Sequence, residues 1–336
     1  MYHVSWAHVG HTACGWWRVI HPLQHWKSDK IRVSSGTNFI DYGNIDNIDV
    51  LVLQRPFMSC QGVIKQFHDA GKKVVIEVDD MFPVPKGHHQ YDLYNPESPY
   101  VEELLSCMGL SDGIIVSTPE LKTHYEELFS QPIEVVLNAL YVTDNFWQPK
   151  IPKDKFSILW SGGDTHLPNL KAIQKPLTQF LRDNSDAQLI TMSPLNDHDL
   201  NDFFPKELES QVIKLEPVEL EKFFRIEGFD VSLAPLEFNT FNLTKSEIKI
   251  LETANHFTPC IATHIEPYFR FSIISEGACL LATSENDWYS HLTALNLKPR
   301  FRQKIGYDAY RAMTQFYNLQ KWNKKREEFF IKLIES

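Results

Sequence analysis

The stretch Phe229–Glu252, FDVSLAPLEFNTFNLTKSEIKILE, decides the fold class. It begins with a short apolar strand that ends at Ala234, continues through a polar loop and enters a helix near Ser246. A strand followed by a loop and a helix is the repeating unit of α/β proteins with parallel sheets. The same alternation continues on both sides of this stretch.

Apolar strands and helical patterns alternate through the first half of the chain. The strands are continuously apolar, which indicates that both faces of their sheet are covered. The predicted strands are 2–6, 49–53, 73–78, 113–117 and 133–137, and the predicted helices are 16–25, 61–70, 101–107 and 119–129.

The proline-rich stretch Phe146–Asp154 predicts a linker, after which the alternation starts again. The predicted strands are then 157–160, 188–192, 212–215, 231–234 and 260–263, with helices at 170–181, 218–226, 246–256 and one or two within 308–334. Two such series of comparable length predict two doubly wound domains. We expect an N-terminal domain over 1–150, a C-terminal domain over 151–306, and helices at 307–336 that pack back toward the first domain.

The composition is that of a globular protein. The chain has 336 residues, of which 43% are hydrophobic and 23% charged, enough to bury a core. No apolar run approaches the ~18 residues that span a bilayer, and the N-terminus has no signal-peptide pattern. Five scattered cysteines without a CxxC pair predict neither a disulfide framework nor a zinc knuckle. We therefore expect a cytoplasmic protein.

The net charge of -10 argues against a protein that coats nucleic acid. The charge is unevenly distributed, because the last segment, from Leu295 to Ser336, carries ten Lys/Arg against four Asp/Glu. Its basic residues cluster in Lys298–Lys304 and Lys321–Arg326. They form either a solvated helical face or a surface for an anionic partner such as DNA, an acidic glycan or a membrane.

The loop before the helix at Ser246 predicts an anion site. Lys245 and the backbone N–H groups of the first helical turn would both face an anion. Ser246 is the predicted N-cap, with Lys249 one turn further on. Glu252 lies deep enough in the helix to reach a ribose hydroxyl. The loop would then hold a diphosphate and Glu252 the sugar of a nucleotide, unless this is an ordinary capped helix with solvated side chains.

A spaced set of residues resembles the donor region of family 4 glycosyltransferases of the GT-B fold: Asn242, Lys245, Ser246, Lys249 and Glu252, then 258–262, 266–268, 277–281 and 285–288. The resemblance implies two Rossmann-like domains that face a central cleft. It also implies retaining transfer of a hexosyl or pentosyl group from a nucleoside diphosphate sugar, UDP- or GDP-linked, to an acceptor hydroxyl. The resemblance further implies that neither a cofactor nor a metal is required.

The resemblance assigns roles to the residues of this region. Lys245 would stabilise the departing diphosphate, Glu252 would bind the ribose, and Glu247 would belong to the donor-binding turn. The family usually has a Glu eight positions before the ribose-binding Glu, where this chain has Thr244. Asn242 or Glu237 would then contact the donor sugar. The same departure leaves open a catalytically silent nucleotide-sugar-binding protein.

A glycine turn at the start of the second domain predicts a further donor contact. Ser161, Gly162 and Gly163 follow a strand, and such turns let the backbone approach a pyrophosphate. His166 follows them. It is interpreted either as a donor contact or as a side chain that caps the next helix locally.

The stretch Thr12–Arg18 resembles the G-x-x-R loop that meets the diphosphate from the first domain. Gly15 would permit the close approach, and Arg18 would supply charge-assisted hydrogen bonds. The alternative is a packing turn that places Trp16 and Trp17 in the core.

Three carboxylates follow the strand at 73–78, where ligands bind in open α/β sheets: Glu77, Asp79 and Asp80. Close carboxylates repel, so at least one pKa should rise, which suits proton transfer at an acceptor hydroxyl. We assign catalysis to Asp79 and Asp80, with Glu77 and His88 on the acceptor side. The alternatives are metal binding, as in the Asp-x-Asp motif of the GT-A fold, and capping of local backbone N–H groups.

The acceptor has two candidate classes. One is a surface or lipid-linked glycan. The other is a hydroxymethylated pyrimidine in duplex DNA, as in phage-type DNA glycosyltransferases, which requires the base to be flipped out. Duplex DNA would bind through the basic C-terminal segment.

Overall fold

The computed structural model describes residues 1–37, 44–57, 59–141, 154–163, 166–193, 203–216 and 228–336. The chain divides into two compact units. Unit 1 comprises Met1–Tyr141, Thr244–Ser246 and Tyr317–Ser336, and unit 2 comprises Val142–Leu243 and Glu247–Phe316. Each unit is built around its own parallel sheet.

The sheet of unit 1 has six strands in the order β2-β1-β3-β4-β5-β6, all paired in parallel. The chain runs from β1 to the edge at β2 and then returns to β3 on the other side of β1. The strand order therefore reverses between β1 and β3, at a position where open α/β sheets bind ligands. The strands are β1 (Tyr2–Ala7), β2 (Ile31–Gly36), β3 (Val50–Gln54), β4 (Lys73–Val78), β5 (Gly113–Val116) and β6 (Ile133–Val135).

The helices of unit 1 follow the strands in βα units. A π-helical turn, Trp16–Ile20, joins the first two helices, and a 3-10 turn lies at Ile45–Asn47. The helices are α1 (Ala13–Gly15), α2 (His21–Gln24), α3 (Gln61–Asp69), α4 (Tyr91–Tyr94), α5 (Pro99–Leu110), α6 (Pro119–Glu126) and the C-terminal α14 (Leu319–Ile334). The last helix places Phe329, Phe330 and Leu333 in the same core cluster as Val4 and Trp6 of β1.

The sheet of unit 2 also has six parallel strands, in the order β12-β11-β10-β7-β8-β9. Counted along the unit, this is the Rossmann order 3-2-1-4-5-6, and the order reverses between β7 and β10. The strands are β7 (Phe156–Ser161), β8 (Ala187–Met192), β9 (Val212–Leu215), β10 (Val231–Ala234), β11 (Cys260–Thr263) and β12 (Cys279–Ala282).

Seven helices of unit 2 lie in the described part of the chain, together with a 3-10 turn at Lys206–Gln211. They are α7 (Leu167–Ala172), α8 (Gln174–Asp183), α9 (Thr240–Leu243), α10 (Ile248–Ala254), α11 (Tyr268–Ile274), α12 (Glu285–Leu297) and α13 (Pro299–Phe316). None of the described helices combines the length and apolar character that a bilayer-spanning helix needs.

The predicted strands of both halves are confirmed, and the strands at 73–78, 212–215, 231–234 and 260–263 have the predicted bounds. The sequence pattern missed β2 and β12. The first is an edge strand whose outer half is exposed, so it lacks a continuous apolar run. The predicted helix at 218–226 and all but the last residue of the predicted linker at 146–154 lie outside the described residues.

One glycine of α13 is required by packing in unit 2. A Cβ placed on Gly306 would lie 2.0 Å from the carbonyl oxygen of Phe257. Because backbone cannot yield as a flexible side chain can, the helix approaches the loop after α10 only without a side chain at this position. The Phe257 ring stacks on Tyr310, with centroids 4.2 Å apart, and completes the contact.

We expect Gly306→Ala to lower the free energy of unfolding by about 1–3 kcal/mol, the usual cost of overpacking. Gly62→Ala is the matched control, since Gly62 is also helical but a Cβ there meets nothing within 4 Å. That change should stabilise the protein by up to about 1 kcal/mol through helix propensity. Urea unfolding of both variants measures the difference, and equal midpoints would contradict the packing argument.

Candidate functional site

Three predicted donor-binding residues converge in unit 2. Ser161 ends β7, next to the point where the strand order reverses, and Lys249 and Glu252 lie on α10. The Lys249 ammonium donates to Ser161 Oγ at 3.3 Å and to Glu252 Oε2 at 3.0 Å. Glu252 is buried, whereas the Lys249 side chain keeps 28% of its surface exposed. A cation that solvent can reach therefore lies at the ligand-binding edge of this sheet.

The loop after β10 lies beside the same edge and is held by amides. Asn169 of α7 accepts the backbone N–H of Glu237 at 2.9 Å. Asn242 donates to the carbonyl of Glu237 at 2.9 Å. The amide of Asn242 therefore shapes the loop, while the Glu237 side chain is exposed. Asn169 was missed by the sequence analysis, because a lone Asn on a helix carries no local signal.

The glycine turn after β7 lies at the same edge as Ser161. A Cβ on Gly162 would lie 3.1 Å from both the Trp160 ring and His166 Cβ, so the turn is tight against its own chain. Gly163 and His166 are half-buried. His166 Nδ1 lies 3.2 Å from the side-chain nitrogen of Asn169, which joins the glycine turn to α7.

Glu247 takes a different role from the predicted donor contact. It is fully buried, and Arg270 donates to its Oε1 at 3.3 Å. Tyr268 is also buried. Its pKa is raised well above the usual range, mainly by burial and further by the nearby thiols and carboxylates, Glu247 among them. Glu247 therefore balances a cation inside unit 2, beneath the start of α10.

The residues Thr244–Ser246 are fastened within unit 1 on both sides of Lys245. Thr118 Oγ1 donates to the carbonyl of Thr244 at 3.0 Å. Asn138 Nδ2 donates to Ser246 Oγ at 2.8 Å. The N-cap prediction for Ser246 is wrong, because α10 begins at Ile248 with Glu247 as its N-cap. The Ser246 hydroxyl instead holds the chain that carries Lys245.

The Lys245 ammonium donates to Asp80 Oδ1 at 2.7 Å. Arg55 donates to Asp79 Oδ1 at 2.6 Å and also pairs with Asp80. Arg55 has φ +48°, a left-handed conformation that is unfavourable for a side-chain-bearing residue. Its guanidinium contacts both carboxylates. Arg55 was missed by the sequence analysis.

The expected rise in a carboxylate pKa is wrong for Asp80. Burial alone would raise it, but the charges of Lys245 and Arg55 outweigh burial and lower the pKa of Asp80 to about 2. Burial, and then the charges of His89 and Lys245, lower the pKa of His88 to about 4. At neutral pH this cluster therefore contains an ionised Asp80 and a neutral His88.

Cys14, Asp79 and Asp80 each offer a ligand atom within 4.8 Å of the others, which raises the question of a metal centre. Arg55 and Lys245 already engage the two carboxylates. Burial raises the pKa of the Cys14 thiol to about 12, and a metal binds the thiolate form. These groups fit an ion-pair network better than a metal centre.

The structure contradicts the donor role of Arg18 and the acceptor role of Glu77. Both side chains have no exposed surface, and they pair at 2.8 Å. Arg326 of α14 lies 3.3 Å from the same Glu77 oxygen, and Trp6 donates to the other at 3.2 Å. Arg18 also donates to Asn138 Oδ1 at 3.0 Å. Both residues therefore act inside unit 1 and cannot touch a ligand there.

Gly15 is also explained by packing within the chain. A Cβ on Gly15 would lie 1.9 Å from the carbonyl oxygen of Gly10. The chain's own backbone thus makes a close approach at Gly15. Trp17 is buried nearby, as the packing alternative requires.

Five of the ten cations in the basic C-terminal segment form ion pairs with carboxylates. The cations that carry a carboxylate partner are Arg302 (Asp230), Lys304 (Asp308), Lys324 (Glu327), Lys325 (Glu134) and Arg326 (Glu77). The stretch Lys298–Lys304 belongs to unit 2 and Lys321–Arg326 to unit 1. The paired cations are therefore less available to an anionic partner than the composition of the segment suggests.

No family model and no curated protein sequence matches the chain. Solved structures share its fold. A glycosyltransferase from Rickettsia africae has a TM-score of 0.68 at 13% identity, covering 100% of this chain and 99% of that one. Sucrose-phosphate synthase from Thermosynechococcus elongatus has a TM-score of 0.66 at 11% identity, with 100% of both chains covered.

A third structure, S. aureus TarM with fondaparinux, α-GlcNAc-glycerol and UDP, has a TM-score of 0.62 at 12% identity. It covers 85% of this chain and 55% of TarM, so the chain spans about half the length of that protein. These likenesses confirm the predicted fold class, an α/β fold of the GT-B type with two parallel-sheet domains.

We expect Glu77→Gln to lower the free energy of unfolding by about 3–5 kcal/mol, because it leaves two buried guanidiniums without their anion. Glu134→Gln is the matched control. Glu134 also lies on a strand of this sheet and pairs with α14, through Lys325, but both side chains are partly exposed. Its loss should cost less than about 1 kcal/mol. Denaturant unfolding measures both, and a similar small effect would return Glu77 to the list of ligand-binding candidates.

Proposed function

We propose that the chain transfers a glycosyl group from a nucleoside diphosphate sugar to an acceptor hydroxyl. The observation that carries this proposal is the convergence of Ser161, Lys249 and Glu252 at the ligand-binding edge of unit 2. The fold is shared with a glycosyltransferase and a sucrose-phosphate synthase that match over the whole chain. The fold supports the reaction class, and the three residues provide a hydroxyl, a cation and a carboxylate that can contact the donor.

The proposed donor contacts follow from the charges of this edge. The Lys249 ammonium has three N–H donors and is partly exposed, so it can bind a diphosphate oxygen without a change in the fold. Glu252 accepts from Lys249 through one oxygen, and its carboxylate has further lone pairs for a ribose hydroxyl. The TarM structure contains UDP, which makes UDP the first nucleotide to test.

The proposed sugar contact falls to Glu237. Thr244 stands where the family has an acid, and it is buried, with its carbonyl bonded to Thr118. The amide of Asn242 is engaged by the backbone of the loop. The exposed carboxylate of Glu237 follows β10, at the edge where the strand order reverses. It is therefore the better placed of the two candidates for the sugar hydroxyls.

We assign the stabilisation of the leaving diphosphate to Lys245, as the family resemblance implies. A lysine acts here by charge, since negative charge develops on the diphosphate as the glycosidic bond breaks. In the structure its ammonium is held by Asp80. The strength of this pair therefore determines how readily the Lys245 ammonium can bind another anion.

The low pKa of Asp80 supports a mechanism without strong general-base catalysis. A carboxylate with a pKa of about 2 is a weak base at neutral pH. Charge stabilisation of the leaving group then supplies most of the rate, which fits retaining transfer. A glycan hydroxyl is the proposed acceptor, because the protein has a net charge of -10 and half of the cations in its C-terminal segment are already paired with carboxylates.

We expect Lys249→Ala to weaken UDP binding about 10- to 100-fold, the range for loss of a charge-assisted hydrogen bond. Lys324→Ala is the control, because Lys324 forms the same i, i+3 pair, with Glu327 at 2.9 Å, on α14. Isothermal titration calorimetry with UDP compares the two. If UDP binding is unchanged in Lys249→Ala, Lys249 does not belong to the donor site.

For Lys245→Ala we expect turnover to fall about 10²–10³-fold while UDP still binds, since the charge acts mainly on the transition state. Turnover is followed as release of UDP or GDP from a panel of nucleotide sugars, with and without glycan acceptors. Asp80→Asn separates the possible roles. If Lys245 only balances Asp80, both variants lose stability together and keep wild-type turnover. A wild-type protein that binds UDP but turns over no donor is the silent alternative.

A further inference from the structure

The solvent face of α13 carries a basic and aromatic stripe that the proposed reaction does not use. Arg300, Lys304, Tyr307 and Arg311 follow an i, i+4, i+7, i+11 spacing, which places them on one side of a helix. All four are exposed. The opposite face of α13 is buried in unit 2 through Ile305, Gly306, Ala309, Ala312 and Met313.

The stripe begins at a corner between α12 and α13 that has no buried residue. The five residues Leu297 to Phe301 are all exposed, and Leu297 retains 69% of its surface. Leu297 and Phe301 are four residues apart, and Lys298 and Arg300 lie between them in the sequence. Two large apolar side chains and two cations are thus exposed within five residues of one another along the chain.

The charge of this surface is opposite to that of the protein. The chain has a net charge of -10, yet the twenty residues from Trp288 to Tyr307 contain no Asp or Glu. Asp308 is the acid of the α13 face, and it pairs with Lys304 at 2.6 Å. Among the described residues no ion pair is found for Lys298 or Arg300. The corner is therefore a local positive patch on an acidic protein.

Arg302 holds the corner rigidly to the body of unit 2. Its guanidinium donates to the carbonyl of Leu295 at 2.8 Å, caps the end of α12 in this way, and lies 3.3 Å from Asp230. It also lies over the Phe156 ring, 5.3 Å from the centroid. Phe156 begins β7 and Asp230 precedes β10, so the corner sits at the amino ends of these strands. The candidate donor residues lie at their carboxyl ends.

We propose that this face of unit 2, Leu297–Phe301 with Lys304, Tyr307 and Arg311, docks flat on a membrane surface that contains anionic lipids. Helices of this kind bury apolar and aromatic side chains at the headgroup level, while Lys and Arg attract anionic headgroups. A nucleic acid would use the cations but would gain nothing from the exposed Leu297 and Phe301. The apolar side chains therefore favour a lipid surface over a phosphate backbone.

The test is cosedimentation of the full chain with phosphatidylcholine vesicles and with vesicles that contain roughly 25% phosphatidylglycerol. The wild-type protein should bind the anionic vesicles on the order of tenfold more tightly. Leu297→Ser with Phe301→Ser should weaken that binding about tenfold, and so should Arg300→Glu with Arg311→Glu. The matched control is Leu128→Ser with Lys65→Glu, which removes an exposed Leu and a cation from unit 1.

Two measurements keep the result interpretable. Thermal unfolding and UDP binding should be unchanged in both corner variants, because neither touches the buried face of α13 nor the carboxyl ends of the strands. Equal binding to the two kinds of vesicle, or corner variants that bind like the control, would overturn the proposal. So would binding to duplex DNA that survives Leu297→Ser with Phe301→Ser in a protein that ignores vesicles.

Discussion

The carboxylate of Glu77 is the interaction on which the arrangement of unit 1 depends. A fully buried charge is stable only when its partners compensate for the lost hydration. Here the partners are Arg18, near the start of the chain, and Arg326, near its end. Burial lowers the pKa of Arg326 to about 10 against the opposing charge of Glu77, so it stays protonated at neutral pH. The first βα loop, β4 and α14 are thereby joined around one buried anion.

A short chain of hydrogen bonds connects Glu77 to the segment that carries Lys245. Arg18, fixed by Glu77, donates to the amide oxygen of Asn138, and this orients the amide nitrogen toward Ser246. Ser246 adjoins Lys245, whose ammonium is held by Asp80. Thr118 fixes the other side of the same segment. Arg18, which the sequence predicts to contact the diphosphate, thus helps to hold the backbone that carries Lys245.

The fold could be predicted from the sequence because its signals are local, whereas part of the site could not. Buried parallel strands appear as apolar runs, and the i, i+3 spacing of Lys249 and Glu252 fixes their contact on one helix. Ser161 joins them because the carboxyl ends of parallel strands share an edge. Glu77 instead has its partners 59 and 249 positions away. No local pattern tells whether a carboxylate at a strand's end meets solvent or a distant arginine.

Partners that are distant in the sequence also explain why the predicted rise in the pKa of Asp80 is wrong. The sequence predicts repulsion among Glu77, Asp79 and Asp80, because the stretch 77–80 contains no cation. Arg55 comes 24 positions before Asp79, directly after β3, and its guanidinium contacts both carboxylates. Lys245 adds a second cation from 165 positions away. The surroundings of a carboxylate at the end of a parallel strand depend on which residues lie at the ends of the neighbouring strands. Its pKa therefore depends on the strand order of the sheet more than on the adjacent residues in the sequence.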